Sequence, residues 1–124
     1  MCVDRDQFED LVRSALDDLP EEFASRLENV EILIEDEPSP ALLRSMGLNP
    51  RHDTLFGLYR GVPLAQRGLN YAGVLPDTIT IFYRPLVRTC ATPENIRRQV
   101  RITVIHEVGH FFGLDDAAIR ALGY

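Results

Sequence analysis

A chain of 124 residues, 45% apolar and 26% charged, has material for one hydrophobic core and too little for two, so it reads as a single domain over residues 1–124. The net charge of −6 comes from 19 acidic side chains against 13 basic ones, all arginine; with no basic block, nucleic acid is excluded as the main partner. The stretch Met1–Gln7 lacks the apolar centre of a signal peptide and no apolar run approaches about 18 residues, so a cytoplasmic protein without membrane contact is expected, with Cys2 and Cys90 as free thiols.

In chain order, residues 5–18 predict an amphipathic helix. Phe8, Leu11, Val12, Ala15, Leu16 and Leu19 recur at three- and four-residue spacing between charged side chains. Pro20 opens a second helix, with Glu21 and Glu22 in its first turn and Phe23 and Leu27 inward. Val30–Glu35 predicts a strand; its imperfect alternation suggests burial on both faces. Ser39-Pro40 starts a short helix through Met46 that Gly47 closes, and Asn49–Asp53 is a loop in which His52 is a solvated histidine. Leu55–Leu64 predicts two short strands around Gly61-Val62-Pro63, and Gln66–Pro76 a loop carrying Asn70 and Tyr71. Asp77–Arg84 alternates polar and apolar residues as a strand should, and Pro85 ends its pairing.

Thr92-Pro93-Glu94 is a helix start, with a capping hydroxyl, a proline at the first position and a carboxylate in the first turn. Ile96, Val100, Val104, Val108 and Phe111 form one apolar stripe, with Arg97, Arg98 and Arg101 on the solvated side. From Ile102 onward apolar residues surround the axis, so the second half of this helix should be buried and its histidines held in a dry setting. A last short helix spans Ala117–Leu122.

On that long helix lies His106-Glu107-x-x-His110. Residues i and i+4 share a face, so both imidazoles reach one ion, while Glu107 is rotated by roughly 100° and stays near it as a separate carboxylate. A hydrolytic zinc site needs that division: neutral nitrogen ligands, and a base to take a proton from water. Catalytic zinc commonly takes a third protein ligand. Gly113 can end the helix in a left-handed turn, and a chain doubling back there returns Asp116 to the ion, or Asp115 if the turn differs by one residue; the spacing favours Asp116.

The run His106-Glu107-x-x-His110-x-x-Gly113-x-x-Asp116, with its short tail, resembles the small bacterial family of minimal zincin-like metallopeptidases. Gly57–Leu64 and Pro76–Phe82 support the likeness, which covers nearly the whole chain. The resemblance implies an α+β domain, with a small mixed sheet packed on the motif helix, N-terminal helices flanking it and an edge strand bordering a cleft. It also implies Zn²⁺ held by His106, His110 and Asp116, with Glu107 as catalytic base. Metzincins share the H-E-x-x-H-x-x-G turn, but here Asp116 replaces their third histidine and no Met-turn can follow.

The expected function is therefore zinc-dependent hydrolysis of peptide bonds in a peptide or protein substrate. The substrate would add as a strand to an exposed edge, either Thr78–Tyr83 or Leu55–Tyr59. Tyr83, Arg84, Tyr71 and Tyr124 are candidate donors to the developing oxyanion. The alternative from another class is a zinc-stabilised, non-catalytic peptide- or protein-binding module. Neither cleavage preference nor oligomeric state is legible.

Overall fold

The computed structural model describes residues 3–62, 67 and 76–123. Among these residues six helices surround a three-stranded sheet: α1 (Arg5–Asp17), α2 (Glu21–Ala24), β1 (Val30–Glu35), α3 (Pro40–Ser45), β2 (Gly57–Arg60), β3 (Asp77–Phe82), α4 (Tyr83–Thr89), α5 (Pro93–Phe111) and α6 (Asp116–Ala121). The sheet order is β1-β3-β2, with β1 parallel and β2 antiparallel to the central β3. This is the α+β arrangement expected, a small mixed sheet against the motif helix.

Local chemistry sets the helix starts. Asp4 and Gln7 form a reciprocal capping box at α1, the Asp4 carboxylate accepting from the Gln7 N–H at 2.8 Å and the Gln7 side chain from the Asp4 N–H at 2.9 Å. The Ser39 hydroxyl accepts from the Leu42 N–H at α3, and the Thr92 hydroxyl from the Asn95 N–H at α5. Pro20 caps α2 instead of opening it, one residue outside the expected start.

One core joins helices and sheet. Phe8 and Val12 of α1 and Ile79 and Ile81 of β3 meet the stripe Ile96, Val100, Val104, Val108 and Phe111 of α5, all essentially inaccessible. Burying side chains of this size stabilises by about 1.5–3 kcal/mol each, which fixes α5 against the sheet before any ligand is considered.

Three expectations change. The strand beginning at Asp77 stops at Phe82, and Tyr83, Arg84 and Pro85 form the first turn of α4, where a proline without its N–H is tolerated. β1 is not buried on both faces: Val30, Ile32 and Ile34 are half-buried while Glu31, Leu33 and Glu35 are exposed, because as an edge strand only one of its faces meets the core. β3 is instead the strand closed on both sides, so Thr78–Tyr83 offers no edge to a substrate, and β2, which overlaps Leu55–Tyr59, is the edge on its side of the sheet among the described residues. Of the two strands expected around Gly61-Val62-Pro63 the first is β2; the second falls on Pro63–Gln66, which lie outside the described residues with most of the loop to Pro76, Cys2, Asn70, Tyr71 and Tyr124. Cys90 is buried, and among the described residues no helix is long and apolar enough to cross a membrane.

Candidate metal centre

The site forms where α5 ends. Gly113 takes a left-handed φ of 87°, its N–H bonds to the His110 carbonyl (2.9 Å), and the Leu114 N–H reaches back to the Gly109 carbonyl (3.0 Å). That pair of bonds is a Schellman closure, which satisfies the last carbonyls of the helix while reversing the chain. Asp115 then caps α6, accepting from the Ala118 N–H at 2.8 Å, and Asp116 opens that helix. The reversal places an Asp116 carboxylate oxygen 2.9 Å from His106 Nε2 and 3.2 Å from His110 Nε2. The structure thus gives the two neighbouring aspartates different positions: Asp115 is spent on the helix cap and Asp116 faces both rings.

Hydrogen bonding defines the chemistry of that cluster. His110 Nδ1 lies 2.9 Å from the Leu114 carbonyl, which only accepts, so Nδ1 carries the proton. In the neutral ring Nε2 then presents its lone pair to the Asp116 carboxylate. Two acceptors 3.2 Å apart repel unless a proton or a cation lies between them. The separations also suit an ion: tetrahedral ligands at zinc distances of 2.0–2.1 Å stand roughly 3.3 Å from one another. Both the donor set and its spacing fit a zinc ion.

Glu107 occupies a different environment. It is buried at 8% exposure, whereas the two imidazole side chains are 30% and Asp116 60% exposed. Burial pushes its carboxyl above the ordinary value, against the pull of His110 and His106 and of a hydrogen bond from the Tyr59 backbone N–H. The rings are therefore less dry than the sequence implied, and the dry group is the carboxylate beneath them. His106, Glu107 and His110 have potential ligand atoms within 4.8 Å of one another, so either carboxylate could join the imidazoles at an ion. Asp116 contacts both rings directly, while Glu107 is already engaged by Tyr59.

The Tyr59 N–H is available because of strand register. Phe82 donates to the Phe56 carbonyl, so the pairs Phe56–Phe82, Leu58–Thr80 and Arg60–Thr78 face each other through hydrogen bonds, and the backbone groups of Gly57 and Tyr59 point away from the sheet. Close approach of β2 to α5 depends on Gly57, where a Cβ would stand 2.8 Å from Thr103 Cγ2 and 3.0 Å from Glu107 Cγ. Between the two elements runs a groove of about 230 Å³ lined by Phe56, Gly57, Gln99, Ile102, Thr103, His106 and Glu107. A larger concavity, about 570 Å³, lies between α1 and the first half of α5 beside Arg97, Arg98 and Arg101 and shares no residue with this cluster.

The expected oxyanion donors do not converge here. Tyr83 is buried against Phe8 and donates to the Val3 carbonyl at 2.8 Å, and Arg84 is exposed on α4 with its backbone tied to Asp36 beyond β1, across β3 from β2. Tyr71 and Tyr124 lie outside the described residues. His52 is exposed in its loop, as expected.

Beside the site lies a node that sequence reading missed. Asp77 accepts from the Tyr59 hydroxyl (2.5 Å), the Val62 N–H (3.1 Å) and Arg67 (2.9 Å), and the Arg67 and Asp77 side chains are 6% and 3% exposed. Arg67 also donates to the Glu28 and Val62 carbonyls and lies over the Phe111 ring. Burial alone would raise the Asp77 carboxyl; the bonds from Tyr59, Arg67 and Val62, with the Arg67 charge, outweigh it and hold Asp77 below its ordinary value. An acidic residue opening an apolar strand, with an arginine ten positions earlier, was the only signal available.

Comparison with known proteins is consistent with this geometry. The family described as zincin-like metallopeptidase matches residues 27–124. Among solved structures, a conserved hypothetical protein from Thermus thermophilus is similar in fold, with a TM-score of 0.58 and 21% identity over 89% of this chain and 94% of that one. No curated protein matches.

Proposed function

The chain belongs to the family of zincin-like metallopeptidases, and from that premise we propose that it is a zinc-dependent peptidase that hydrolyses peptide bonds with Glu107 as general base. His106, His110 and Asp116 would hold the ion. A zinc ion there supplies a Lewis acid that acidifies water and polarises a carbonyl. The observation that carries the proposal is the division of labour among carboxylates: Asp116 meets both rings, while Glu107 sits buried beside them and lines the adjoining groove.

The chain's own groups then have definite tasks. Glu107 accepts a proton from the attacking water and delivers it to the departing amine nitrogen, so that hydroxyl adds to the carbonyl carbon, the C–N bond breaks and the carboxylate is regenerated. The bond from the Tyr59 N–H holds the Glu107 carboxylate in place beside the rings. A peptide would lie along the edge of β2, accepting a hydrogen bond from the outward N–H of Gly57 and donating one to its C=O. Phe56 and Ile102 on the groove banks suit an apolar substrate side chain next to the scissile bond.

The test is Glu107→Gln, assayed on a peptide library with and without chelator. The variant is expected to bind zinc like the parent and to lose at least about 10²–10⁴ in cleavage rate. A parent that binds zinc but cleaves nothing supports the binding-module alternative, and undiminished cleavage by the variant rejects Glu107 as the base.

A further inference from the structure

Asp116 is 60% exposed, so little packing surrounds its own side chain. Its aim must come from the helix that carries it. Among the residues of α6 only Ile119 is buried, at 1% exposure. Ile119 meets α5 at Gly109: a Cβ built on Gly109 would stand 2.7 Å from both Cδ1 and Cγ1 of Ile119. The isoleucine therefore fills space that any larger residue at 109 would take.

Helical geometry links this apolar contact to the polar one. His106, Gly109 and His110 are related as i, i+3 and i+4 on α5, and Asp116 and Ile119 as i and i+3 on α6, so each set shares a face. The two faces meet as a polar pair next to an apolar pair. The connection between them is short and tied at both ends, since the Leu114 N–H bonds to the Gly109 carbonyl and the Leu114 carbonyl accepts from His110 Nδ1. With the turn so fixed, the remaining adjustable contact is how deeply Ile119 sits against Gly109.

We propose that Gly109 and Ile119 are positioning residues that set Asp116 at zinc-ligand distance from His106 and His110. The inference rests on the reading of Asp116 as a ligand. Metal ligands tolerate displacements of about 0.2 Å, so a methyl group wedged under α6 is large on the scale that matters.

The experiment measures Zn²⁺ affinity by competition with a chromophoric chelator for the parent, Asp116→Ala, Gly109→Ala, Gly109→Ala/Ile119→Ala and Gly109→Ala/Asp116→Ala, with circular dichroism checking each fold. Gly109→Ala should weaken zinc binding about 10–100-fold, the range seen when a residue supporting a ligand is altered. Adding Ile119→Ala, which removes both Cδ1 and Cγ1 and leaves Cβ 3.9 Å away, should recover much of that loss. In the Asp116→Ala background Gly109→Ala should add nothing, because it acts through the carboxylate already removed. Parental affinity in Gly109→Ala, or losses that multiply in the Gly109/Asp116 double variant, would overturn the proposal. If Gly109→Ala does not fold, Ile119→Ala reads the same contact from α6 and must weaken zinc binding only while Asp116 is present. Parental affinity in Asp116→Ala would remove the ligand assignment itself, and this inference with it; a normal Asp116→Ala loss with an inert Gly109→Ala rejects the positioning role alone.

Discussion

Two charged clusters lie at the two ends of the β2–α5 contact, built from similar parts and finished differently. At Arg67–Asp77 the carboxylate accepts from a hydroxyl, a backbone N–H and a guanidinium, and both charges are buried. At His106–His110–Asp116 the carboxylate faces two imidazoles, one of which has already committed its proton to Leu114, and the group opens to solvent. The first cluster is satisfied by the protein alone; the second needs a proton or a cation between its acceptors. That contrast separates a structural ion pair from a functional site more sharply than charge or burial does. Tyr59 links them, with its hydroxyl on Asp77 and its backbone N–H on Glu107.

Removing a partner from the closed cluster should have the largest effect on stability. Asp77→Ala strands Arg67 and should cost about 3–5 kcal/mol in urea unfolding. Because the folded Asp77 carboxyl lies below its unfolded value, its contribution is present above the unfolded value and is lost as pH falls through the folded one. The parent should therefore lose stability below about pH 4 by an increment that Asp77→Asn lacks. Equal acid slopes in the two proteins would show that the node is not a linked charge.

Gly57→Ala tests the link between the clusters. Its Cβ would press on Thr103 and Glu107, separating β2 from α5 at a cost of about 1–3 kcal/mol. Cleavage should fall about tenfold or more through loss of the Tyr59 bond to Glu107, while zinc affinity stays near parental. A loss confined to zinc affinity would mean that β2 supports the metal rather than the base.

The smallest stability effect is expected where the contrast is greatest. Metal-free Asp116→Asn should unfold within about 1 kcal/mol of the parent, since an exposed carboxylate facing an acceptor contributes little. Its zinc affinity should nevertheless collapse. A metal-free loss of several kcal/mol would make Asp116 a second structural anchor.

The open cluster was largely legible in the sequence, and the closed one was not. His106, Glu107 and His110 are fixed by helical spacing, Thr92-Pro93 marks the start of their helix and Gly113 its end, so local rules reach the site. Asp116 was favoured over Asp115 by spacing, and the cap that occupies Asp115 supplies the physical distinction. Arg67 and Asp77 meet only in the folded chain, and no local pattern pairs them. α4 was hidden because Asp77–Tyr83 alternates into it without a break and Pro85 reads equally as a strand terminator or a first-turn residue. Of the two edges expected, Thr78–Tyr83 fails for a related reason: alternation describes faces, whereas strand order depends on crossovers.

The most direct test of the central claim is a zinc-edge anomalous diffraction map of the zinc-loaded protein. One ion is predicted about 2.0–2.1 Å from His106 Nε2, His110 Nε2 and an Asp116 oxygen, with Glu107 outside the coordination sphere and a position open toward the groove. An ion bound by Glu107 in place of Asp116, or closed off by a fourth protein ligand, would contradict it.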